Sequence, residues 1–479
     1  MIWKKYSILL LFVALCSIPI FITFNRGINY FDEGYMLEGA RRVISGELPY
    51  RDFHFIYTPI TIYILAFFLR MGGHFIIVER FAAAIISIIG IIFLGLLSIK
   101  LTKNYILALF SMLLYSVWGP SHINFFWPVM CIIPFLFIYF YLFTNSYFLL
   151  SGVLLGTILL CKHNFGAALI VSLCCYYIIV RPSNKILLII FGIFIPIILF
   201  TGYLLLTQSF LSFLSDMNTY TIQEVLFNKS LSVPFPSQSI GKLILYLFPA
   251  IVSIILGIGI YIKKIHMKLL IIPLSIFTFY LFGIFPTPDW THLLPLLSTM
   301  GILYALLPNI FGNKYRFYCY ILMIFVIGAG LYSLSFRNYY RWEAPLTKQV
   351  NCLSSGVMKY ICIDEKNKTV INQTLAFVSR ETKNDSYIFA FYNDPIYYFL
   401  SQKSNPTRYI DFNVNIEKKE EQNVISELKK KKVNVIVTRF SPTSSNSKFI
   451  TKYIEKNYQQ INRVYEFIVW RNRNLTLQP

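Results

Sequence analysis

The chain has 479 residues, of which 56% are hydrophobic and 14% are charged, and its mean hydropathy is +0.59. A soluble protein carries about a quarter of charged residues, so this composition excludes a soluble enzyme and indicates a polytopic membrane protein. The net charge of +21 is shared by both parts of the chain rather than concentrated in one stripe, which argues against nucleic-acid binding. Basic residues that flank apolar segments are what membrane topology requires.

Long apolar runs predict eleven membrane-spanning helices, the first of them retained because it lacks a small-x-small cleavage site. The predicted spans are 6–24, 81–99, 104–118, 128–143, 147–161, 165–180, 186–206, 241–262, 269–285, 293–310 and 317–335. With a cytoplasmic N-terminus, nearly every basic cluster between spans is cytoplasmic, and the chain after the last span emerges outside. The apolar run 56–69 is predicted to be a juxtamembrane or re-entrant helix, because a crossing there would invert every later loop.

The first outside loop is unusually acidic. Nine acidic residues occur before residue 336, and five of them lie between residues 32 and 52. Carboxylates beside a bilayer are costly unless they are solvated or used. The segment from Asp32 predicts an amphipathic helix in the interface plane, with Glu38 and Arg42 on its polar face. Asp32 has two compatible interpretations, as the N-cap of this helix and as a general base at the mouth of a membrane cavity.

Other ionisable side chains fall at the outer ends of the predicted spans. Lys162 lies between two apolar runs, where it could snorkel to the interface or hold a lipid phosphate. Asp289 and His292 could act as acid and base or bind a divalent metal; alternatively, Asp289 caps the next span and Trp290 anchors it. Four of the six histidines share this side, namely His54, His122, His163 and His292. These positions predict one active site that opens outwards and towards the lipid.

Residues 336–479 are predicted to form a small extracytoplasmic α/β domain with a partly parallel sheet. Its predicted elements are strands at 387–391, 433–439 and 463–470 and helices at 395–402, 417–432 and 447–457. Cys352 and Cys362 could form one disulfide if this tail lies outside the cytoplasm, or they could remain two free thiols. The tail contains no phosphate-binding glycine loop and no independent catalytic motif.

The first outside loop resembles that of C-type membrane glycosyltransferases (GT-C), in particular bacterial protein O-mannosyltransferase-like enzymes and lipid A aminoarabinose transferases. The resemblance rests on YFDEGYMLEGARRVISGELPYRDFHFIYTPITIYILAFFLRMGG followed by ER. The segments CKHNFGAAL, PDWTHLLPLL and NDPIYYFLSQKSNPTRY resemble further elements of these enzymes. The resemblance implies a GT-C-like transmembrane catalytic domain over residues 1–335, with its first external loop at 25–80.

The resemblance also implies a reaction. Such enzymes transfer a sugar from a polyprenyl-phosphate donor to a lipid, glycan or protein acceptor outside the cytoplasm, with inversion. Asp32 would take the proton from the acceptor hydroxyl, and Glu33 would supply a second carboxylate. Positive charge at the leaving phosphate would come first from Lys162, then from Arg51, His163 and His292. The remaining candidate substrate-binding residues are Asp52, His54, His122 and Asp289.

Two positions depart from the family pattern. Tyr57-Thr58 replaces a Glu-Lys pair of the aminoarabinose transferases before the proline of the second interface helix, so the phosphate contacts must differ. His122 and Asn124 stand where many relatives have an acidic residue, which leaves metal use and a two-carboxylate mechanism open. Two other functions stay open, a transporter or flippase and a non-catalytic binder of lipid-linked sugars. The sequence lacks the internal repeat that transporters show.

Overall fold

The computed structural model describes residues 2–181, 185–222, 240–264, 266–283, 290–336, 344–382, 387–412, 417–439 and 447–474. Up to residue 336 the described residues form a series of α-helices. These are α1 (Ile2–Thr23), α2 (Asp32–Ile44), α3 (Ile60–Gly72), α4 (Ile76–Thr102), α5 (Tyr105–Trp118), α6 (Pro128–Thr144), α7 (Phe148–Leu159), α8 (His163–Val180), α9 (Ile186–Leu206), α10 (Phe210–Ile222), α11 (Ile240–Lys263), α12 (Ile271–Gly283), α13 (Trp290–Phe311) and α14 (Arg316–Phe336).

A helix occupies each of the eleven segments that hydropathy predicts as spans, as expected for apolar runs whose backbone groups must pair internally in lipid. Among the described residues, α4, α8, α9 and α14 are long and apolar enough to cross a membrane by length and composition. The count of eleven spans stays a prediction. Helix α10 was not predicted, because Asp216 interrupts its apolar character.

The tail contains two sheets. The strands β1 (Asn351–Cys352) and β2 (Cys362–Ile363) pair antiparallel. The larger sheet has the strand order β3-β4-β6-β5, with β3 and β4 parallel and the other pairs antiparallel. Its strands are β3 (Ile388–Phe391), β4 (Val435–Arg439), β5 (Tyr458–Val464) and β6 (Phe467–Asn472), and the helices of the tail are α15 (Glu365–Glu381), α16 (Ile396–Ser401), α17 (Lys418–Lys430) and α18 (Lys448–Asn457).

The partly parallel sheet confirms the prediction for the tail, but the single strand predicted at 463–470 is wrong. The chain turns at residues 465 and 466, where Tyr465 has a φ of +53°, and continues as a second antiparallel strand. The apolar residue Val464 precedes the turn and the apolar run 467–470 follows it, so the pattern alone did not reveal the turn. Helix α15 was also missed, because its composition is mostly polar.

Cys352 and Cys362 form a disulfide, which decides between the two alternatives that the sequence leaves open. The closed loop lies against the ends of two membrane helices. Beyond α1, Asn25 accepts a hydrogen bond from the backbone N–H of Cys362 (2.8 Å), and Ile76 at the start of α4 donates to the carbonyl of Val357 (3.0 Å). The tail is therefore fixed to the end of the helix bundle that also carries the first outside loop.

The first outside loop contains the two predicted helices, and the tail covers it. Helix α2 packs against α3 and against α16. Two residues of the predicted polar face, Glu38 and Arg42, are buried, and Arg42 donates to the carbonyl of Thr407 in the tail (2.9 Å). Gly34 permits this docking, since a Cβ there would lie 2.3 Å from the backbone nitrogen of Ile396. Helix α2 is therefore enclosed by protein.

Candidate functional site

Asp32 is the first residue of α2, and its side chain is half-buried. The N-cap interpretation of Asp32 is wrong, because Phe31 holds that position. Asn29 Oδ1 accepts the backbone N–H bonds of Phe31 (3.1 Å) and Asp32 (2.7 Å), so Asn29 satisfies the start of the helix. The positive end of the helix dipole favours the ionised form of a carboxylate placed here. The start of α2 therefore does not depend on the Asp32 carboxylate for capping.

A second carboxylate, Asp411 of the tail, lies within electrostatic reach of Asp32. Its side chain is 4% exposed, and burial together with the charge of Asp32 raises its pKa to about 7. Burial, followed by the charge of Asp411, also raises the pKa of Tyr35, which lies one turn beyond Asp32. No described residue forms an ion pair with Asp411. Two interacting carboxylates, one buried and one half-buried, occur more often at functional sites than at structural ones.

Sequence reasoning missed Asp411. The segment NDPIYYFLSQKSNPTRY, on which the resemblance in the tail rests, stops two residues before it. The local pattern shows a lone carboxylate between the apolar residues Ile410 and Phe412, which are themselves buried. Such an isolated acid was a usable indication of function, but its partner could not be inferred. The partner depends on how the tail docks on α2.

Glu33 forms a buried ion pair with Arg80, in the second turn of α4. Both side chains are fully buried, and the guanidinium Nε and Nη2 donate to Oε1 (2.7 Å) and Oε2 (2.8 Å) of Glu33. The backbone N–H of Asn29 also donates to Oε2 (2.8 Å). Both carboxylate oxygens of Glu33 are therefore engaged in holding the loop to the bundle. This arrangement favours a positioning role for Glu33 over the catalytic role expected from the sequence.

The second outside loop completes the surroundings of Arg80. The guanidinium donates to Asn124 Oδ1 and to the carbonyls of Arg26 and Gly27 (both 3.2 Å). A second carboxylate, that of Glu79, lies 3.3 Å from Nε. Asn124 in turn donates to the carbonyl of Arg26 (2.8 Å). Asn124, one of the departures from the family pattern, is thus part of a buried network that fixes the end of α1 to α4.

Lys162 lies in a cage of aromatic rings. Its side chain is 6% exposed, and Nζ lies 4.9 Å from the ring centroid of Trp127, 5.3 Å from that of Phe165 and 5.6 Å from that of Tyr57. Aromatic faces stabilise a cation without neutralising its charge. A snorkelling lysine would expose its ammonium group, so the burial of Lys162 argues against snorkelling. Tyr57, the other departure from the family pattern, supplies one wall of this cage.

Two tyrosines connect the Lys162 cage with the carboxylates. The rings of Tyr57 and Tyr35 pack edge to face with centroids 6.0 Å apart. The hydroxyl of Tyr35 accepts a hydrogen bond from the backbone N–H of Ile56 (3.0 Å), which fixes its ring beside α2. The ammonium of Lys162 and the carboxylate of Asp411 thus lie at opposite ends of one tyrosine pair. Contacts through Tyr57 and Tyr35 thus connect Lys162 with the carboxylates of Asp32 and Asp411.

An apolar groove of about 650 Å³ begins beside the Lys162 cage. Pro59 and Leu160, which line it, are two residues away in sequence from Tyr57 and Lys162, respectively. Its walls come from α3 and α9, and the hydroxyls of Tyr63 and Tyr203 meet across it at 2.5 Å. The full lining is Pro59, Ile60, Tyr63, Ile64, Phe67, Leu160, Pro196, Leu199, Phe200 and Tyr203. Such a groove suits an apolar chain that carries an anion at one end.

Three predicted substrate-binding residues take part in contacts within the loop and with the tail. Arg51 pairs with Asp52 at the surface (Nη2–Oδ2, 2.8 Å), and this hydrogen bond lowers the pKa of Asp52. His54 is buried, and its ring packs against Tyr409 with centroids 5.3 Å apart. Burial, together with the charge of Arg408, lowers the pKa of His54 to about 3, so its ring is neutral.

The two internal histidines differ in their surroundings. His122 is 1% exposed, its ring stacks on Trp118 (5.2 Å between centroids), and its Nδ1 lies 2.6 Å from the carbonyl of Val117. These contacts make it part of the packed core of the second outside loop. His163 is half-buried at the start of α8, directly after Lys162. Of these two histidines, His163 is the one that lies beside a charged candidate residue, Lys162.

The predicted acid–base or metal pair of Asp289 and His292 stays a prediction. Asp289 lies outside the described residues, and of His292 only the backbone, in the first turn of α13, is described. Within the described part of the chain, no group of three His, Cys, Asp or Glu side chains is arranged to hold a metal ion.

Comparisons with known proteins identify the fold. A scan against models of protein families and a search of curated sequences found no match. The structure of ArnT from Cupriavidus metallidurans bound to undecaprenyl phosphate matches with a TM-score of 0.62 at 13% identity, covering 98% of this chain and 99% of that chain. The apo structure of ArnT matches with a TM-score of 0.61 at 13% identity, covering 98% of each chain. ArnT is a lipid A aminoarabinose transferase, so the predicted GT-C resemblance is confirmed at the level of the fold.

Proposed function

We propose that this chain is an integral-membrane glycosyltransferase that takes a sugar from a polyprenyl-phosphate donor and transfers it, with inversion, to an acceptor outside the cytoplasm. The observation that carries the proposal is the ArnT fold over nearly the whole chain, combined with a caged lysine at the end of an apolar groove. One matching ArnT structure is bound to undecaprenyl phosphate, a lipid with the required chemistry. The acceptor class, whether lipid, glycan or protein, is left open by the proposal.

The donor would lie with its prenyl chain in the groove between α3 and α9 and its phosphate at Lys162. The groove is almost entirely apolar, and an isoprenoid chain would be held there by van der Waals contact with its side chains. The ammonium of Lys162, held by three rings, would stabilise the negative charge that develops on the leaving phosphate. His163, the next residue, is the second candidate for this role, and Arg51 and His292 follow it.

Asp32 is the proposed general base. As the acceptor oxygen forms a bond to the anomeric carbon, Asp32 takes its proton, and the bond from that carbon to the phosphate oxygen breaks with its electron pair. The products are the glycosylated acceptor and polyprenyl phosphate. Two neighbouring carboxylates tend to share one proton near neutral pH. We assign the proton to Asp411, whose pKa is about 7, and the ionised base to Asp32, because the N-terminus of α2 stabilises its charge.

The proposed orientation places the N-terminus in the cytoplasm and residues 336–479 outside it as a distinct domain that helps to select the acceptor. Two observations support this orientation. The positive-inside rule assigns nearly all basic loop clusters to the cytoplasm. The disulfide between Cys352 and Cys362 is of a kind that persists in oxidising compartments outside the cytoplasm. Because Asp411 comes from this domain, its docking would complete the site.

The test replaces Asp32 with Asn in the purified full-length chain. We expect transfer of radiolabelled sugar from polyprenyl-phosphate donors to fall by roughly 10²–10⁴-fold, because general-base help is lost, while donor binding is retained. Glu455→Gln, a change of an exposed acid in α18, is the matched control and should leave transfer intact. Donor binding without any transfer by the unmodified protein would support a non-catalytic binder. Movement of the lipid between leaflets without transfer would support a flippase.

Lys162→Gln tests the donor site separately. We expect the Kd for polyprenyl phosphate to rise about tenfold, because hydrogen bonds to charged groups contribute roughly 1.5–3 kcal/mol. Lys185→Gln is the matched control, since the ammonium of Lys185 also lies over one ring, that of Phe148 (5.8 Å), but at the opposite end of α8. Equal effects of the two substitutions would contradict a specific phosphate site at Lys162.

A further inference from the structure

The membrane domain has a second groove, and it lies at the end of α8 opposite to Lys162. The groove has a volume of about 730 Å³ and is bounded by the end of α8, by α11 and by α12. Helix α12 packs against both α8 and α11 and forms the floor. The walls are exposed apolar side chains, with Ile178 of α8 72% exposed and Ile258 of α11 53% exposed. An 18-residue helix spans about 27 Å, so this groove and the Lys162 cage belong to opposite membrane leaflets.

The length of the groove matches one leaflet. Along α11 its lining extends from Ser253 to Tyr261, a distance of about 12 Å at 1.5 Å per residue. The hydrocarbon of one leaflet is about 15 Å thick, half of a typical bilayer core. An acyl chain running from the membrane surface towards the midplane would therefore fit along the groove. Gly257 widens it halfway, because a Cβ there would meet only Leu270 Cδ1, at 3.7 Å.

The surface end of the groove is positively charged. Arg181, the C-cap of α8, lines this end and is exposed, and the amphipathic Tyr261, near the end of α11, also lines the groove. None of the described residues that line the groove is acidic. Arg181 forms no ion pair with any described residue, so its guanidinium is available to an external anion. Arginine binds phosphate oxygens with two parallel hydrogen bonds, and tyrosine is favoured at membrane interfaces.

We propose that this groove binds one anionic phospholipid of the leaflet opposite to the candidate active site, which the charge of the loops predicts to be the cytoplasmic leaflet. One acyl chain lies between α8 and α11 over α12, and the headgroup phosphate pairs with Arg181. The polyprenyl donor is a different occupant of a different groove. A lipid held here would fix the inner end of α8, the helix whose outer end follows Lys162.

Native mass spectrometry of the delipidated full-length chain tests the proposal, with phosphatidylglycerol, phosphatidylcholine and polyprenyl phosphate added back in turn. We expect one phosphatidylglycerol to be retained more tightly than phosphatidylcholine. Arg181→Gln should weaken this retention about tenfold, as expected for loss of a charged hydrogen-bond donor. Lys103→Gln is the matched control, because Lys103 is likewise an exposed C-cap, with a φ of +50° against +46° for Arg181.

A second variant tests the groove itself without removing a charge. Gly257→Leu should fill the middle of the groove and abolish the retained lipid, and the space around Gly257 makes a folding defect unexpected. Gly328→Leu in α14 is its control, since a Cβ at Gly328 meets no atom within 4 Å. Equal retention of phosphatidylglycerol and phosphatidylcholine would overturn the proposal. So would retention that survives Gly257→Leu, or polyprenyl phosphate competing for the same groove. Because none of these readouts measures sugar transfer, the outcome is independent of the proposed enzymatic function.

Discussion

Substitution of Asp32 should reduce sugar transfer but not stability, whereas substitution of the adjacent Glu33 should reduce stability. Glu33→Ala is the sharper test of the two. Glu33 is fully buried and accepts three hydrogen bonds, two from Arg80 (2.7 and 2.8 Å) and one from the backbone of Asn29 (2.8 Å). Removing one partner of a buried ion pair costs about 3–5 kcal/mol, because the other charge stays buried. Glu79 remains 3.3 Å from Arg80 and compensates in part, so we expect about 3 kcal/mol, the low end.

The assay compares thermal unfolding in detergent, followed by intrinsic fluorescence, with sugar transfer by the same preparations. Glu33→Ala should lower the unfolding midpoint by about 3 °C, since a loss of about 3 kcal/mol is divided by the large unfolding entropy of a long chain. Asp32→Asn should not lower the midpoint, since it removes a repulsive charge beside Asp411, while transfer collapses; this makes it the matched comparison. A Glu33→Ala protein that unfolds like the unmodified chain but has lost transfer would refute the positioning role of Glu33 and return it to the chemistry.

Two further predictions concern the tail. Burial and the charge of Asp32 raise the pKa of Asp411 from 3.8 to about 7, so ionisation of Asp411 should destabilise the fold progressively between pH 4 and pH 7. Over that pH range Asp411→Asn should therefore become more stable than the unmodified chain, by up to about 4 kcal/mol. A difference in unfolding midpoint that does not change with pH would contradict this. Cys352→Ser should lower the free energy of unfolding by about 2.5 kcal/mol, because the loop closed by the disulfide is lost. Substitution of Cys174, an exposed free thiol, is the control and should leave stability unchanged. Reaction of Cys352 with thiol reagents under non-reducing conditions would exclude the disulfide.

Local pattern was sufficient for most of the helices. Apolar runs of span length have one stable solution in lipid, so hydropathy located α1, α4–α9 and α11–α14 to within a few residues. It failed for α10 and α15, where Asp216 and a polar composition hide the helical pattern. The predicted strand at 463–470 merged two strands, because apolar residues lie on both sides of the turn at residues 465 and 466.

The sequence by itself determined the membrane class, the helix positions, the GT-C resemblance and Asp32 as the leading candidate, because each of these depends on composition or on neighbours along the chain. Only the tertiary structure decided what each charge does. It buried Arg42 beneath the tail, paired Glu33 with Arg80, caged Lys162 among three rings and brought Asp411 to Asp32. The energy of a buried ion depends on its burial and on its distance from other charges. Here both are set by residues hundreds of positions apart, which meet only when the tail docks on the first loop.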